Sequence, residues 1–356
     1  MKRRSKQQLV WFALMAALLG LTAYTILGQQ SPRELLGAMA RADGRVLLLA
    51  LPVMGAYIAC EAGATRLVLG ALGCPQPFRN CCFYSCTGFF FSNVTPSATG
   101  GQPAQVYYMS RDGVPVASGT IDMLLVSIGC HTAVVGYALA ALAFGRGLPA
   151  QLGGQVGLLL GVGLSIFVLL NVAMLLLLFF PGPAQRLGRW GIALACRLVH
   201  RLDRTGLEEK LEEAVEQYRQ GARVIARTPL VLAGVVGLSG VQLGCSYLVP
   251  YLVYRAFGLS GMGLLEVAGL QVLCTVAVSF LPLPGAAGAA EGVFLRTFLA
   301  VFGPALVAPA MILTRTMSCY FMLLVTGGIT LAGHLRRIRG ERNGKTPCNP
   351  IQGVVS

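Results

Sequence analysis

Charged side chains are scarce in this 356-residue sequence, in which 12% of residues are charged and 55% are apolar. Together with a mean hydropathy of +0.68, that scarcity excludes a soluble domain of this length. The sequence also lacks a P-loop and a dinucleotide-binding fingerprint, which excludes a nucleotide-driven motor of those types. The cysteines at 81, 82 and 86 have no second cluster at zinc-binding spacing. We therefore expect neither a metal nor a cofactor, and no disulfide framework.

Long apolar runs are abundant, and they predict a polytopic membrane protein. Runs of the roughly 20 residues needed to cross the hydrocarbon core occur at 8–27, 46–65, 152–181, 229–253 and 304–333. Residues 116–144 reach the same length, although Asp122 and His131 interrupt them. The first run follows a basic tail but has no clear small-residue cleavage site, so we interpret it as an uncleaved first helix.

The net charge of +14 does not indicate nucleic-acid binding, because the basic residues lie between and after the apolar runs. Basic residues concentrate in the N-terminal tail, in segment 182–228 and after residue 335. Short basic flanks stay on the cytoplasmic side of a membrane. The pattern predicts cytoplasmic N- and C-termini, with membrane phospholipids rather than nucleic acid as partners.

Two segments rich in glycine and proline interrupt the apolar pattern, at 93–103 and 282–292. Lipid tolerates non-helical backbone only where protein or a wet cavity covers it, and a pair of such breaks is typical of a transporter's binding site. The orientation then predicts an all-α fold of six spans plus two opposed re-entrant hairpins, at about 81–108 and 262–303.

The remaining segments complete the predicted organisation. A transmembrane domain covers residues 1–335, and a basic cytoplasmic tail covers 336–356. Within the cytoplasmic segment 182–228, Thr205 and Glu208 have the spacing of a capping box, and apolar residues follow at helical spacing. This helix is either a solvated amphipathic connector or a regulatory helix at the membrane surface.

Charged side chains inside spans are costly and are therefore functional candidates. The set comprises Glu61, Arg66, Asp122, Glu291, Arg296 and Arg315. Each is either a member of a structural ion pair or a group involved in substrate passage. Glu61 and Arg66 are five residues apart and do not face each other well on one helix. Glu291 and Arg315 lie on different segments, so pairing between them is open.

The glycines and prolines of the two motifs predict helix ends inside the membrane. Glycine permits positive φ and close backbone approach, and proline opposes helix continuation. Amides freed at such breaks suit an anionic group, and an unpaired arginine fork would match a phosphate.

These motifs carry a resemblance to a known family. The pattern Asn93-x-Thr95-Pro96-x3-Gly100-Gly101-x-Pro103, followed by Arg111-x-Gly113-Val114-Pro115, resembles the membrane domain of lysylphosphatidylglycerol synthases, the multiple peptide resistance factors. The pattern Pro282-x-Pro284-Gly285-x2-Gly288-x2-Glu291-Gly292, with Arg315 in the last span, is similar to the same family. The resemblance covers roughly residues 8–335. It implies a flippase-like protein of the bacterial inner membrane that moves phospholipid, including aminoacylated phosphatidylglycerol, and a link to antimicrobial peptide resistance.

The resemblance and the in-span charges together define a candidate substrate path. It consists of Glu61, Arg66, Asn93, Thr95, Pro96, Gly100, Gly101, Arg111, Asp122, Pro284, Gly285, Gly288, Glu291 and Arg315.

Two departures from the family bear on activity. Full-length synthases carry a soluble C-terminal domain that transfers lysine, whereas only about 20 residues follow the last predicted span here, so we expect no lysyltransferase activity from this chain alone. Residues 117–120 stand where the family commonly has an acidic–basic pair. We predict translocation of a phospholipid or lipid-linked substrate between leaflets. The alternatives are lysyl transfer with a separate soluble lipid-modifying enzyme, and a membrane scaffold for envelope assembly; a homo-oligomer is left open.

Overall fold

The structure, a computed structural model, describes residues 32–95, 98–144, 153–179, 204–279 and 288–342. Within these ranges the regular structure is helical and contains no strand. The helices are α1 (Pro32–Met39), α2 (Gly44–Leu48), α3 (Ala50–Ala71), α4 (Phe78–Val94), α5 (Gly101–Arg111), α6 (Val116–Phe144), α7 (Gly153–Phe179), α8 (Arg204–Ala226), α9 (Pro229–Ala256), α10 (Leu264–Val278), α11 (Ala289–Thr297), α12 (Leu299–Arg315), a π-helix (Thr316–Tyr320) and α13 (Phe321–Arg342).

Five helical stretches in the described residues are long and apolar enough to cross a membrane. They are Gly44–Ala71, Val116–Ala143, Gly157–Leu178, Pro229–Ala256 and Leu299–Ile338. The prediction of an all-α membrane protein is confirmed. The first predicted span, 8–27, lies outside the described residues, as does the first part of segment 182–228. The count of six spans and two re-entrant hairpins stays a prediction.

The last of these stretches is far longer than one crossing requires. Forty residues would extend about 60 Å as a straight α-helix, roughly twice the hydrocarbon thickness. Its backbone breaks at Gly303, which has φ 72° and ψ 169°, just before Pro304. A π-helix follows Arg315 directly. The predicted span 304–333 therefore begins at a real break in the helix, and α13 continues several residues beyond its predicted end.

Helices α3, α6 and α9 pack closely together at the centre of the molecule. Small residues permit this approach, as is common between membrane helices. A Cβ atom added to Gly129 would lie 2.7 Å from Ser239 Oγ and 3.3 Å from the Val235 carbonyl oxygen. The tight contact fixes the positions of polar side chains that these three helices carry.

Each interrupted segment forms a helical pair that packs against helices from the other half of the chain. In the first hairpin, α4 and α5 pack together, and α4 also lies against α13. In the second hairpin, α10 contacts α11 and packs against α6 and α7. Gly327 and Gly333 of α13 lie against Phe90 and Phe83 of α4, where a Cβ atom would approach the rings to 2.8 Å and 2.1 Å.

Helix α8 is amphipathic and packs on the central bundle through one face. Ala222 and Ile225 are buried, and Tyr218 donates a hydrogen bond to the Leu177 carbonyl oxygen at 3.0 Å. Burial raises the pKa of Tyr218 to about 12, so this hydroxyl stays a donor at neutral pH. The described part of segment 182–228 thus makes specific contacts with α6 and α7.

Candidate functional site

The turn of the first hairpin is closed by the side chain of Thr95. Its hydroxyl donates to the Phe91 carbonyl oxygen at 2.6 Å and accepts from the Gly100 amide at 2.8 Å. One hydroxyl therefore joins the Phe91 carbonyl oxygen, which also accepts from the Thr95 amide at 3.0 Å, to the amide at the start of α5. The left-handed backbone in this turn occurs at Ala98, with φ 55°, whereas Gly100 has φ −84°.

The glycines of the first hairpin are required for close approach. A Cβ atom on Gly101 would lie 2.0 Å from Ser92 Oγ and 2.7 Å from the Gly88 carbonyl oxygen. One on Gly88 would lie 1.8 Å from Gln105 Nε2. The backbone of each helix is thus in contact with atoms of the other helix. These contacts leave no room for a ligand between the two helices near Gly88 and Gly101.

The end of the first hairpin meets the π-helix. Asn93 donates from Nδ2 to the Phe89 carbonyl oxygen at 2.9 Å, and its Oδ1 accepts from Cys319 Sγ at 3.4 Å. Cys319 follows Arg315 by one turn. The contact connects the first glycine- and proline-rich motif to the π-helix, which directly follows Arg315. π-Helical turns are rare and frequently occur at functional sites.

Glu291 and Arg315 form an ion pair in the second hairpin. Arg315 Nε lies 3.0 Å from Glu291 Oε1, and the Glu291 side chain is 6% exposed. Glu291 Oε2 accepts a hydrogen bond from the Gly288 amide at 2.6 Å, and Gly288 has φ 83°. Both carboxylate oxygens are therefore engaged, one by the arginine and one by the N-terminus of α11.

The guanidinium of Arg315 retains unused donor capacity. Its Nη2 is buried, as is Thr314 Oγ1, and neither atom has a hydrogen-bond partner among the described residues. Both residues line a cavity of about 190 Å³ between α10, α11, α12 and the π-helix. The other polar residues of its lining are Gln271, Thr275, Ser279 and Ser318. The acceptors of Glu291 are occupied, whereas Arg315 Nη2, Thr314 Oγ1 and the acceptor Gln271 Oε1 lack partners among the described residues. The cavity is therefore suited to a polar ligand that presents acceptor oxygens to the guanidinium. We call it the arginine cavity.

A second, larger cavity of about 400 Å³ lies between α6, α9 and α10. Its lining is mainly apolar, with Tyr137, Leu248, Leu265 and Val272 among the residues that form it. It offers no guanidinium or ammonium group to an anion within the described residues.

Glu61 lies near the middle of α3 and is held by two carboxamides. Gln105 Nε2 donates to its Oε1 at 3.2 Å, and Gln242 Nε2 donates to its Oε2 at 2.9 Å. The Cys130 thiol has two acceptors within reach, Gln242 Oε1 at 3.7 Å and Ser239 Oγ at 3.8 Å. The structure therefore supplies Glu61 with amide donors from α5 and α9 rather than with an arginine.

Asp122 is fully buried, with 0% of its surface exposed. Neither of its carboxyl oxygens makes a hydrogen bond of good geometry to any described residue. It lies close enough to Thr65 and Glu61 to interact with both, but Thr65 Oγ1 is likewise without a hydrogen-bond partner in the described part of the chain.

An ion pair outside the predicted path joins the first hairpin to α13. Arg337 binds Asp112 through two bonds, Nε to Oδ1 at 3.2 Å and Nη2 to Oδ2 at 2.6 Å. Tyr84 donates its hydroxyl to Asp112 Oδ2 at 2.6 Å, and the guanidinium lies 4.0 Å from the ring centroid of Phe83. We call these four residues the α13 clamp.

The predicted site residues thus fall into separate groups. Glu61 and Asp122 lie together, Glu291 pairs with Arg315, and Thr95 and Gly100 bond within the turn. Arg66 is exposed, and Arg111 donates to the Tyr107 hydroxyl at 2.8 Å. Gly288 caps α11, and Gly101 permits close packing. Pro96, Pro284 and Gly285 lie outside the described residues.

Sequence reasoning missed Gln105, Gln242, Cys319 and the α13 clamp. Gln242 was detectable, because an amide in an apolar span needs a partner. Arg337 was hidden in a basic run that predicted a tail, and Asp112 was hidden beside Arg111. No sequence signal marked the π-helix.

The geometry defines a polytopic α-helical membrane protein whose polar groups gather at buried sites between its helices. Its sequence matches the family model described as the lysylphosphatidylglycerol synthase TM region over residues 8–326, and the chain belongs to that family. A UPF0104 membrane protein of Methanothermobacter thermautotrophicus is similar to it, with 22% identity over 302 residues that cover 83% of this chain and 87% of that protein.

Proposed function

We propose that this protein moves a phospholipid or lipid-linked substrate between leaflets, and that Arg315 binds the phosphate of its headgroup. The observation that carries the proposal is the buried Nη2 of Arg315, which lacks a partner among the described residues and belongs to a residue lining the arginine cavity. A phosphate that crosses the hydrocarbon core must be compensated by protein donors. A guanidinium compensates it well, because its planar fork matches phosphate oxygens.

The ion pair with Glu291 supports this role by fixing the guanidinium. Glu291 holds Arg315 by Nε and is itself held by the Gly288 amide. The free edge of the fork is thereby kept in one orientation before a ligand arrives, which lowers the entropic cost of binding. Thr314 Oγ1 adds a second unused donor to the same cavity.

The hydroxyls of the cavity can adapt to a headgroup. Thr275 donates to the Gln271 carbonyl oxygen at 2.8 Å, and Ser279 donates to the Thr275 carbonyl oxygen at 2.6 Å. A hydroxyl of this kind can rotate from the carbonyl of its own helix to a ligand. Phe294 and Met311 provide apolar surface in the same cavity. The headgroup would occupy the cavity while the acyl chains remain in lipid.

Leaflet exchange in reconstituted liposomes tests the proposal. Purified protein would be reconstituted with headgroup-labelled anionic, zwitterionic and aminoacylated phospholipids, and exchange would be followed by quenching the label from outside. We expect protein-dependent exchange that falls at least tenfold in Arg315→Gln. The matched control is Arg255→Gln, which removes the same charge from an exposed arginine that contacts the Leu259 carbonyl oxygen, and it should exchange lipid normally.

A folding defect must be separated from a loss of binding. Arg315→Gln leaves Glu291 without its buried counter-charge, so the double variant Glu291→Gln/Arg315→Gln should recover stability but not exchange. Exchange by Arg315→Gln at the wild-type rate would overturn the role of Arg315. No exchange of any lipid above empty liposomes would overturn translocation itself and favour the scaffold.

A further inference from the structure

The environment of Asp122 is unusual for an ionised carboxylate. The residue is the seventh of α6, about 9 Å along the axis from the first residue of that helix, and it is 0% exposed. A buried carboxylate requires a counter-charge or several hydrogen-bond donors. Neither Asp122 oxygen has such a donor among the described residues.

The other ionisable groups near Asp122 do not provide a counter-charge. Among the described residues, Glu61 of α3 and Cys81 of α4 interact with Asp122, and Arg66 of α3 lies close to Cys81. Tyr57, Cys86 and Cys130 lie close to Glu61. Helix α7 contains no ionisable side chain, and the charged residues of α9 and α10, Arg255 and Glu266, lie at the opposite end of the bundle. Arg66 is exposed and forms no ion pair with any described residue.

Glu61 has the opposite environment. Both of its oxygens accept hydrogen bonds from carboxamide nitrogens, those of Gln105 and Gln242. Bonds of this kind stabilise the ionised form of a carboxyl group. Two nearby acids in such different surroundings separate into an ionised member and a neutral one.

We propose that Asp122 and Glu61 form a proton-binding pair that holds one proton, carried by Asp122. The step is the addition of a proton from water to the Asp122 carboxylate, which gives a neutral carboxylic acid. That acid is the form compatible with a site in which neither carboxyl oxygen meets a donor of good geometry among the described residues, because a carboxylic acid brings its own O–H. Thr65 Oγ1, which lacks a partner among the described residues, lies close enough to Asp122 to accept a hydrogen bond from that proton.

The position of the pair allows the proton to be used in transport. Thr65 is one turn from Glu61 along α3, about 6 Å along the axis, and beyond it the helix ends at Ala71. Asp122 therefore lies nearer the helix end that we predict to be cytoplasmic, and Glu61 lies nearer the middle of the membrane. A proton that passes from Asp122 to Glu61 would leave Asp122 ionised and would bind one oxygen of Glu61, which weakens the hydrogen bond that this oxygen accepts from its carboxamide. This coupling rests on the proposed function, whereas proton binding does not.

Infrared spectroscopy tests proton binding without any transport. At neutral pH we expect a carbonyl stretching band of a protonated carboxylic acid, which shifts when aspartate is labelled with carbon-13. The band should be lost in Asp122→Asn and retained in Glu216→Gln, which changes an exposed acid on α8. A band unchanged in Asp122→Asn, or absent from the wild type at neutral pH, would overturn the proposal.

The pH dependence of the free energy of unfolding gives a second test of proton binding by Asp122. If the native state holds one proton more than the unfolded chain, the free energy of unfolding falls as pH rises. Asn mimics the neutral acid, so Asp122→Asn should fold, match the wild type at low pH and exceed its thermal stability at high pH. Equal pH dependence in the two proteins would contradict the assignment, whatever the variant's absolute stability.

Leaflet exchange under an imposed pH gradient tests the coupling. We expect the gradient to change the wild-type exchange rate several-fold and to have no effect on Asp122→Asn. Exchange that is insensitive to the gradient in the wild type would overturn the coupling and leave translocation intact. Absence of exchange at all would instead count against the proposed function, while the infrared result would still decide proton binding.

Discussion

In the first hairpin, the Thr95 hydroxyl joins α4 to α5 by accepting from the Gly100 amide and donating to the Phe91 carbonyl oxygen. In the second, Glu291 accepts from the Gly288 amide and caps the start of α11, and polar atoms of Thr314 and Arg315 beside it lack partners among the described residues. Both hairpins carry glycine- and proline-rich motifs. Among the described residues both leave buried polar atoms without partners, Ser85 Oγ and Gln105 Oε1 in the first hairpin and Thr314 Oγ1 and Arg315 Nη2 beside the second. They differ because Arg315 Nη2 belongs to a guanidinium group that lines a cavity.

The first hairpin is also packed more tightly than the second. Gly101 in the first hairpin is in contact with Ser92 and the Gly88 backbone, whereas Gly292 in the second has open space where a Cβ atom would stand. The α13 clamp further fixes the first hairpin to the last helix. We interpret the first hairpin as the rigid support and the second, with the arginine cavity, as the binding element.

The largest difference in stability between equivalent variants of the two hairpins should come from replacing one glycine in each by alanine. Gly101→Ala should lower the free energy of unfolding by about 1–3 kcal/mol, because a Cβ atom would overlap neighbouring atoms. Gly292→Ala should be neutral or stabilise by up to about 1 kcal/mol, since alanine is the better helix former. Thermal unfolding in detergent measures both. Equal losses in the two variants would contradict the comparison.

The α13 clamp should contribute the next largest effect. Arg337→Gln should lower the free energy of unfolding by about 2 kcal/mol, because it removes two charge-assisted bonds to Asp112. The adjacent Arg336 is exposed, so Arg336→Gln is the matched control and should have little effect. A double-mutant cycle with Asp112→Asn isolates the pair. A coupling energy near zero would show that the clamp does not hold the first hairpin.

The fold class and the charged part of the site were predictable, because apolar runs and charges within them are local features of a sequence. The pairing of Glu291 with Arg315 was left open, since only the tertiary structure brings α11 and α12 together. The carboxamides around Glu61 were not predicted: Gln242 stood out as an amide within an apolar span, but only the tertiary structure shows that Gln242 and Gln105 both bind Glu61. The free edge of Arg315 depends on which of its nitrogens Glu291 binds, and no pattern of residues specifies that geometry.

A smaller loss is expected when the turn of the first hairpin loses its hydroxyl. Thr95→Val keeps the shape of the side chain but leaves the Gly100 amide without its acceptor, so the free energy of unfolding should fall by about 1–2 kcal/mol. Thr95→Ser retains the hydroxyl and should cost less. Lipid exchange per folded molecule should be unchanged in both. If Val and Ser behave alike, the hydroxyl does not close the turn.

Replacing threonine by valine should have the opposite effect on the free energy of unfolding in the arginine cavity. Thr314 Oγ1 is buried and lacks a hydrogen-bond partner among the described residues, so Thr314→Val removes an unsatisfied polar atom and should raise the free energy of unfolding by up to about 1 kcal/mol. It also removes a donor from the cavity, and lipid exchange should slow several-fold. Thermal unfolding and leaflet exchange measured on one preparation decide both points.

A Thr314→Val variant that gains stability and loses lipid exchange would place Thr314 at a site kept polar for its ligand, because binding sites commonly sacrifice stability for function. A variant that loses stability, as Thr95→Val does, would instead assign its hydroxyl to the packing of the protein.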